Sequence, residues 1–337
     1  MIIKSINLTN FRNHNSYTLS CNPDTTLILG ENGCGKTSVL EAIYIVTRGK
    51  SFRATDQDII KRGAPFYRIE LENSDNEKIT VTYDKNNKIY HILDKKFRRL
   101  PKQYKYPIVL FLPSDLNLIS GSPSRHRDYF DRIFSQINEE YNLTLSRYEK
   151  ALRQRNEILK SDNPSKSSIF SWNILLAKYG SLLYRTRQLL IDEINLQLTD
   201  TYVSIANSQD LVNISYKTSI IDGSESIYLN TLESDYEKDL YLGHTSFGVH
   251  KDDFEFIFNN NLADGSASRG ESRSIILALK FIEADMVFEK LHQKPIILLD
   301  DVFSELDNSR RKCLVDNFKN HQVIITSVED FTHQTLP

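Results

Sequence analysis

The chain has 337 residues, 40% of them hydrophobic and 26% charged; this fits one large or two ordinary globular domains and excludes a disordered, collagen-like or disulfide-scaffold protein. Its 42 Lys and Arg against 44 Asp and Glu leave a net charge of −2, so a globally basic nucleic-acid binder is excluded and any polyanion site must be a local patch. The three cysteines, Cys21, Cys34 and Cys313, stand far apart without metal-like spacing, which points to a reducing, cytoplasmic setting, and the longest apolar runs, such as Pro295 to Leu299, are far too short to span a bilayer.

Residues 2–8 read as a strand rather than a signal peptide, and a polar loop, Phe11-Arg12-Asn13-His14, leads to a second strand near Tyr17 to Ser20. The apolar run Thr26 to Leu29 stops at Gly30-Glu31-Asn32-Gly33-Cys34-Gly35-Lys36-Thr37, and an amphipathic segment follows from Ser38 to Arg48. This is the order strand, phosphate loop, helix, with P-loop spacing. Glycines let successive backbone N–H groups turn inward as an anion nest, and the start of the helix adds partial positive charge. Lys36 would reach the β- and γ-phosphates, and the Thr37 hydroxyl would ligate Mg2+. The alternative is a glycine-rich turn with no ligand.

Segments 66–72, 78–83 and 88–93 read as short strands of an antiparallel lobe, with turn residues at Asp84-Lys85-Asn86-Asn87. Lys95 to Lys105 then carries six cations among aromatic and apolar residues, either a lysine-protected hairpin edge or a phosphate-contacting patch. A buried strand, Pro107 to Leu112, precedes a change to helical spacing from Ser124 to about Ser204, interrupted by a polar break at Ser161 to Ser168. Two or three long helices are expected there. Arg147, Arg153, Arg155, Arg185 and Arg187 stud them, balanced by Glu149, Glu157 and Glu193; exposed faces laced with ion pairs and a DNA-contacting stripe are both open readings. No heptad register is sustained for long, which argues against an extended coiled coil. A strand at 211–216, an acidic helix around 224–240 and a strand at 254–258 follow.

Ser268-Arg269-Gly270-Glu271 opens a helix that runs to about Lys290, and Ser followed by Glu three residues on is a capping box. The apolar strand Ile296 to Leu299 ends in Asp300 and Asp301, a Walker B arrangement. Asp300 would hold Mg2+ through water, and Asp301 would orient and activate the attacking water. The two halves of this site lie about 260 residues apart, far more than the short connections of a compact α/β core. A segment is therefore inserted, and the ATPase domain should be built from both ends of the chain.

Ser268 to Glu271, together with Ser304-Glu305-Leu306-Asp307 just after the Walker B acids, resembles the signature motif and D-loop of ABC-type ATPases. With Asn10-Phe11-Arg12-Asn13, GENGCGKT at 30–37, Leu40-Glu41-Ala42-Ile43-Tyr44, Gly49-Lys50-Ser51-Phe52-Arg53, GSPSRHR at 121–127 and GVHKDDF at 248–254, the chain resembles the RecF-like proteins, SMC-like members of the ABC ATPases, nearly end to end. The resemblance implies an α/β, ABC-type (SMC/RecF-like) P-loop ATPase head with an antiparallel β lobe and an inserted, mainly helical arm domain. The corresponding division is 1–120 for the first part of the head, 121–240 for the arm and 241–337 for the rest of the head.

It further implies a cytoplasmic protein that forms ATP-dependent head-to-tail homodimers, binds DNA (double-stranded, gapped or single-stranded), hydrolyses ATP weakly and DNA-dependently with Mg2+, and works with RecO and RecR, without a membrane partner. By motif match, Gly30, Glu31, Asn32, Gly33, Cys34, Gly35, Lys36, Thr37 and Ser38 would surround the nucleotide and Arg12 and Asn13 would approach it. Thr37 and Asp300 would hold the metal, and Lys36 and Asp301 would act in catalysis. Ser268, Arg269, Gly270 and Glu271 would serve in trans, and Ser304 and Asp307 would form the D-loop. Ser114-Asp115 would occupy a Q-loop-like position, although no glutamine stands there. Where many ABC proteins carry a switch histidine after the last strand, this chain has Ile325-Thr326-Ser327, with His321 on the other side of that strand. A transporter ATPase subunit fits the Arg-Gly-Glu signature and the helical insertion poorly. A scaffold that binds ATP without turning it over differs from an ATPase in lacking DNA-stimulated turnover.

Overall fold

The structure is a computed structural model and describes residues 1–161 and 165–328. The first third of the chain forms β1 (Ile3–Phe11), β2 (His14–Ser20), β3 (Thr25–Leu29), α1 (Lys36–Arg48), the one-turn α2 (Asp56–Ile59), β4 (Tyr67–Asn73), β5 (Lys78–Tyr83), β6 (Lys88–Ile92), β7 (Lys95–Phe97) and β8 (Ile108–Phe111). Next come α3 (Pro123–Ile137), α4 (Glu139–Leu159), α5 (Lys166–Ala206), β9 (Val212–Lys217), α6 (Glu225–Ser234) and α7 (Tyr236–Leu242). The last part is β10 (Asp253–Phe258), β11 (Asn261–Leu262), α8 (Ala263–Ser266), α9 (Arg269–Leu291), β12 (Ile296–Asp300), α10 (Asn308–Phe318) and β13 (Val323–Ser327).

These elements form two compact units, one of residues 1–116 with 283–337 and one of residues 117–282. The first holds an antiparallel sheet in the order β2-β1-β4-β5-β6-β7 and a parallel sheet in the order β3-β13-β12-β8. Helix α1 contacts strands of both. That position explains why α1 is buried on nearly every face rather than along one stripe. Ile6 and Leu8 of β1, Ile43 and Val46 of α1, Val81 of β5, Leu298 of β12 and Ile324 of β13 belong to one apolar cluster. The helix stops at Gly49, whose φ of 86° lets its N–H return to the Ile45 carbonyl at 2.9 Å.

The cationic stretch after residue 94 is a hairpin edge: Leu93 and Asp94 turn with positive φ, and β7 lies at the end of the sheet with Lys95 and Lys96 exposed.

In the second unit, α5 runs for 41 residues, about 60 Å at the helical rise, beside α4, α6 and β9. Residues 241–282, assigned from motifs to the head, lie in this unit. The reason is the antiparallel register Val212↔Phe258 to Lys217↔Asp253, which joins β10 to β9. The two stretches GSPSRHR and GVHKDDF meet here. His126 Nδ1 contacts Asp253 at 2.7 Å and Arg127 donates to the Asp252 carbonyl at 2.7 Å, while Phe130 lies 4.5 Å from Phe254, ring centre to ring centre. Burial pushes His250 down to about 4; the neutral ring accepts from Tyr148 and donates to the Thr245 carbonyl.

Two of the arginines expected on exposed helix faces are interior. Arg155 is 0% exposed and donates to Asn173, Asp239 and Thr245, at 2.7, 2.7 and 2.8 Å. Arg187, 1% exposed, donates to Asp131, Tyr141, Asp252 and the Val249 carbonyl. A buried guanidinium is tolerated only when its donors are satisfied in this way. Neither residue can touch a phosphate backbone, so a DNA stripe through Arg155 and Arg187 is ruled out.

Candidate nucleotide site

Strand β3 delivers the loop 30–35 to the N-terminus of α1, and Gly30 N–H is tied to the Ser327 carbonyl at the end of β13. The loop needs its glycines for stated reasons. Gly33 and Gly35 have φ of 82° and 106°, and a Cβ on Gly35 would lie 2.4 Å from His14 Nε2. Lys36, 8% exposed, curls over the loop and donates to the carbonyls of Gly30 (2.7 Å) and Glu31 (3.1 Å). An ammonium held by neutral carbonyls is a ready partner for an anion seated on the loop.

Asp300 ends β12, the strand between β13 and β8 in the parallel sheet. The Thr37 hydroxyl donates to its two carboxylate oxygens at 2.7 and 3.0 Å. The pairing Asp300↔Thr326 sets Thr326 beside it; the Thr326 hydroxyl donates to Asp300 at 2.9 Å and accepts from Asp301 N–H at 2.9 Å. Asp301 has a φ of 51°, a strained left-handed conformation for a residue with a side chain. Its Oδ1 is buried without a hydrogen-bond partner among the described residues. Burial raises the Asp301 carboxyl above the usual range, Asp300 adds to the rise and Lys36 opposes it, the setting expected of a proton acceptor. The Ser304 hydroxyl donates to the Asp301 carbonyl at 2.7 Å and so fixes this bend.

Of the two turn residues expected near the nucleotide, Asn13 donates to the Gly33 carbonyl at 3.2 Å. Arg12 is turned to Glu41 of α1, which it grips at 2.7 and 2.9 Å, and to the Asp58 carbonyl. Glu41 is fully buried and also accepts from Ser51 (2.6 Å) and Arg53 (2.9 Å). Burial alone would raise its carboxyl, yet Arg12, Arg53 and Ser51 together hold it below the usual range. Glu41 thus ties the β1–β2 turn and the stretch Ser51 to Arg53 to the helix that carries the phosphate loop.

Ser268 and Glu271 close the capping box: Ser268 N–H donates to the Glu271 carboxylate at 2.6 Å, and Glu271 N–H to Ser268 Oγ at 3.3 Å. Asp307 caps α10 by accepting from Arg310 N–H at 3.0 Å. Against the upward pull of burial, Ser309 and Arg310 hold its carboxyl down at about 2. Asp115 folds back to accept from Leu112 N–H at 3.2 Å. Ile325, Thr326 and Ser327 lie within β13 rather than after it.

The profile of the RecF/RecN/SMC N terminal domain matches residues 2–335. The DNA replication and repair protein RecF of Clostridioides difficile is 33% identical to this chain over 352 residues, covering 98% of this chain and 92% of that protein. The chain belongs to the RecF family. A solved structure described as the recombination mediator protein RecF-ATP in the RecFOR pathway superposes with a TM-score of 0.86 at 27% identity, covering 98% of this chain and 92% of that one. The Smc head domain of Pyrococcus furiosus, solved with an extended coiled coil and bound to the C-terminal domain of ScpA, shares the fold at a TM-score of 0.53 and 15% identity, covering 98% and 91%. The fold is therefore the ABC-type ATPase head of RecF and SMC proteins, with antiparallel and parallel sheets.

Two participants in the site escape sequence reading. Thr326 sits in an apolar strand and reads as core, although a hydroxyl there signals a buried polar partner. Glu41 lies in the motif Leu40-Glu41-Ala42-Ile43-Tyr44, but its role as an anchor for Arg12 and Arg53 is marked in the sequence only by its place among the apolar residues Val39 to Val46.

Proposed function

We propose that this protein is an ATP-dependent, DNA-binding recombination mediator of the RecFOR type that acts in replication and repair, including gap repair and the SOS response. The observation that carries the reading is the Thr37–Asp300 contact, which joins the phosphate loop to the Walker B strand across 263 residues. The nest of residues 30–35 and Lys36 bind the triphosphate. Thr37 and Asp300 form a hard-oxygen pair suited to Mg2+, which keeps water and phosphate oxygens as its remaining ligands; no group of three or more His, Cys, Asp or Glu able to hold a metal occurs among the described residues. When bound, Mg2+ neutralises charge on the phosphate oxygens. Asp301 accepts the proton of the attacking water. Its side chain is one methylene shorter than the glutamate common at this position in ABC ATPases, so hydrolysis is slow, and DNA stimulates it.

ATP joins two copies head to tail, with Ser268 to Glu271 of one chain meeting the γ-phosphate held by the other, while RecR and RecO are the protein partners. DNA, duplex with gapped or single-stranded regions, is held by local cations. Lys105, lowered by burial and by Arg48, Lys50 and Lys102, reports a cluster of positive charge in the first unit. Among the described residues no helix is long and apolar enough to cross a membrane, and the proposed setting is the cytoplasm.

The test mixes Lys36→Ala with Ser268→Arg chains. Each is inactive alone, and the mixture regains part of the ATPase activity, because one site of a mixed dimer keeps an intact loop facing an intact signature. No recovery at any ratio, with mixed dimers shown to form, means that Ser268 only caps its own helix.

A further inference from the structure

Helix α5 carries a row of apolar residues at strict seven-residue intervals: Leu175, Leu182, Leu189, Leu196 and Val203. The buried side of the helix is a different set, including Leu176, Leu183, Leu190, Ile194 and Leu198. Leu182, Leu189 and Leu196 are 37%, 69% and 81% exposed. The row holds one apolar position per heptad and lacks the second apolar position of a coiled-coil seam, in keeping with the lack of a sustained heptad register; its exposed leucines nevertheless line up as an apolar patch of the kind that marks a docking surface.

We propose that this face docks on the same face of a second copy of the chain, antiparallel, with the two-fold axis at Leu189. The argument is the symmetry of the sequence about that residue. Positions equidistant from Leu189 meet in such a pair, so Leu182 faces Leu196 of the partner subunit and Leu175 faces Val203 of the partner subunit. The flanking polar residues obey the same rule. Lys178 faces Asp200 of the partner subunit, and Arg185, which also donates to the Gly223 carbonyl of its own chain, faces Glu193 of the partner subunit. A parallel pairing in register would instead set Lys178 against its own copy and Asp200 against its own copy.

A groove of about 340 Å³ supplies the receiving surface, lined by Glu139, Glu140, Leu143, Thr144 and Arg147 of α4 and by Lys178, Tyr179 and Leu182 of α5; Lys178 and Arg147 are its cations, set against the two glutamates. Leu196 of the partner subunit, the most exposed leucine of the row, enters beside Leu182, with Asp200 of the partner subunit beside Lys178. A contact of this kind is isologous. One leucine per heptad buries on the order of 1,000 Å² in all, the low end for a specific interface, so the contact is weak and best read by trapping. It uses no residue of the proposed nucleotide site.

Disulfide trapping of the full-length chain tests the register, with the unsubstituted chain and its three native cysteines as the blank. Leu189→Cys alone is expected to cross-link to itself, and Leu182→Cys mixed with Leu196→Cys to cross-link to each other. Leu182→Cys alone and Leu196→Cys alone should stay monomeric, because each lies about 21 Å from its own copy along the axis. Lys178→Glu should slow trapping at position 189 by roughly three- to tenfold, the effect of reversing two exposed ion pairs, and adding Asp200→Lys to the same chain should restore it. Equal trapping of Leu196→Cys with itself, or no trapping at position 189, overturns the proposal; the first outcome means random or parallel encounter, and the second means that the leucine row does not meet its own copy.

Discussion

Among the described residues Lys36 has two carbonyl acceptors and no acidic partner in hydrogen-bond contact with its ammonium, so its charge is available to a triphosphate. Replacing it by Ala removes charge-assisted bonds that contribute about 1.5–3 kcal/mol each, and ATP binding should weaken roughly ten- to 150-fold for each bond removed. Titration with a fluorescent nucleotide analogue measures this, and unchanged affinity would remove Lys36 from the site. Asp301 makes a different prediction. Because burial raises its carboxyl, it takes up a proton at higher pH than an ordinary carboxylate. A base must be deprotonated, so single-turnover hydrolysis should fall on acidification sooner than for an unperturbed Asp. Asp301→Asn should keep ATP binding, lose hydrolysis by about 10²–10⁴-fold and lose that pH dependence. Asn is the informative replacement because it tolerates the left-handed backbone that Asp301 adopts.

At the scale of elements, motifs with local chemistry were legible and those with distant partners were not. The strand–loop–helix of residues 25–48, the Walker B strand and the capping box at Ser268 each declare themselves within one short continuous stretch of sequence. Arg155 could not, since its partners Asp239 and Thr245 lie 84 and 90 residues away and a cation among alternating charges on a helix looks solvated. The β6–β7 pairing makes residues 95–97 a hairpin edge, and the exposed lysines on it stay open to a phosphate backbone. Arg155→Leu should therefore destabilise the protein by about 3–5 kcal/mol, because Asp239, itself 0% exposed, is left as an uncompensated buried charge. Arg153→Ala, two residues away and exposed, should stay within about 0.5 kcal/mol. Chemical denaturation of the two variants separates the readings, and equal effects would mean that the Arg155 network is not formed.

For the whole molecule, a net charge of −2 means that DNA binding must come from a patch and must fade quickly with salt. Neutralising Lys95, Lys96, Arg98 and Arg99 to Gln should weaken duplex binding at low salt and lower the slope of log affinity against log salt by about one unit for each phosphate that is no longer neutralised. Fluorescence anisotropy across a salt series gives the slope, and an unchanged slope places the DNA surface elsewhere.

The order of the parallel sheet, β3-β13-β12-β8, sets a timetable for synthesis. Its two outer strands are made within the first 111 residues, while its two central strands are made only after residue 295. A nascent chain therefore carries the phosphate loop for most of translation without the strand that supplies Asp300 and Asp301. The outer strands must wait, apolar and without their sheet partners, through the making of the whole second unit, an interval in which exposed apolar strands are prone to misassociate. The same delay has a protective side. A ribosome that stalls anywhere before Ile296 releases a chain that lacks both carboxylates, so a prematurely ended copy cannot build a hydrolytic site on its own phosphate loop.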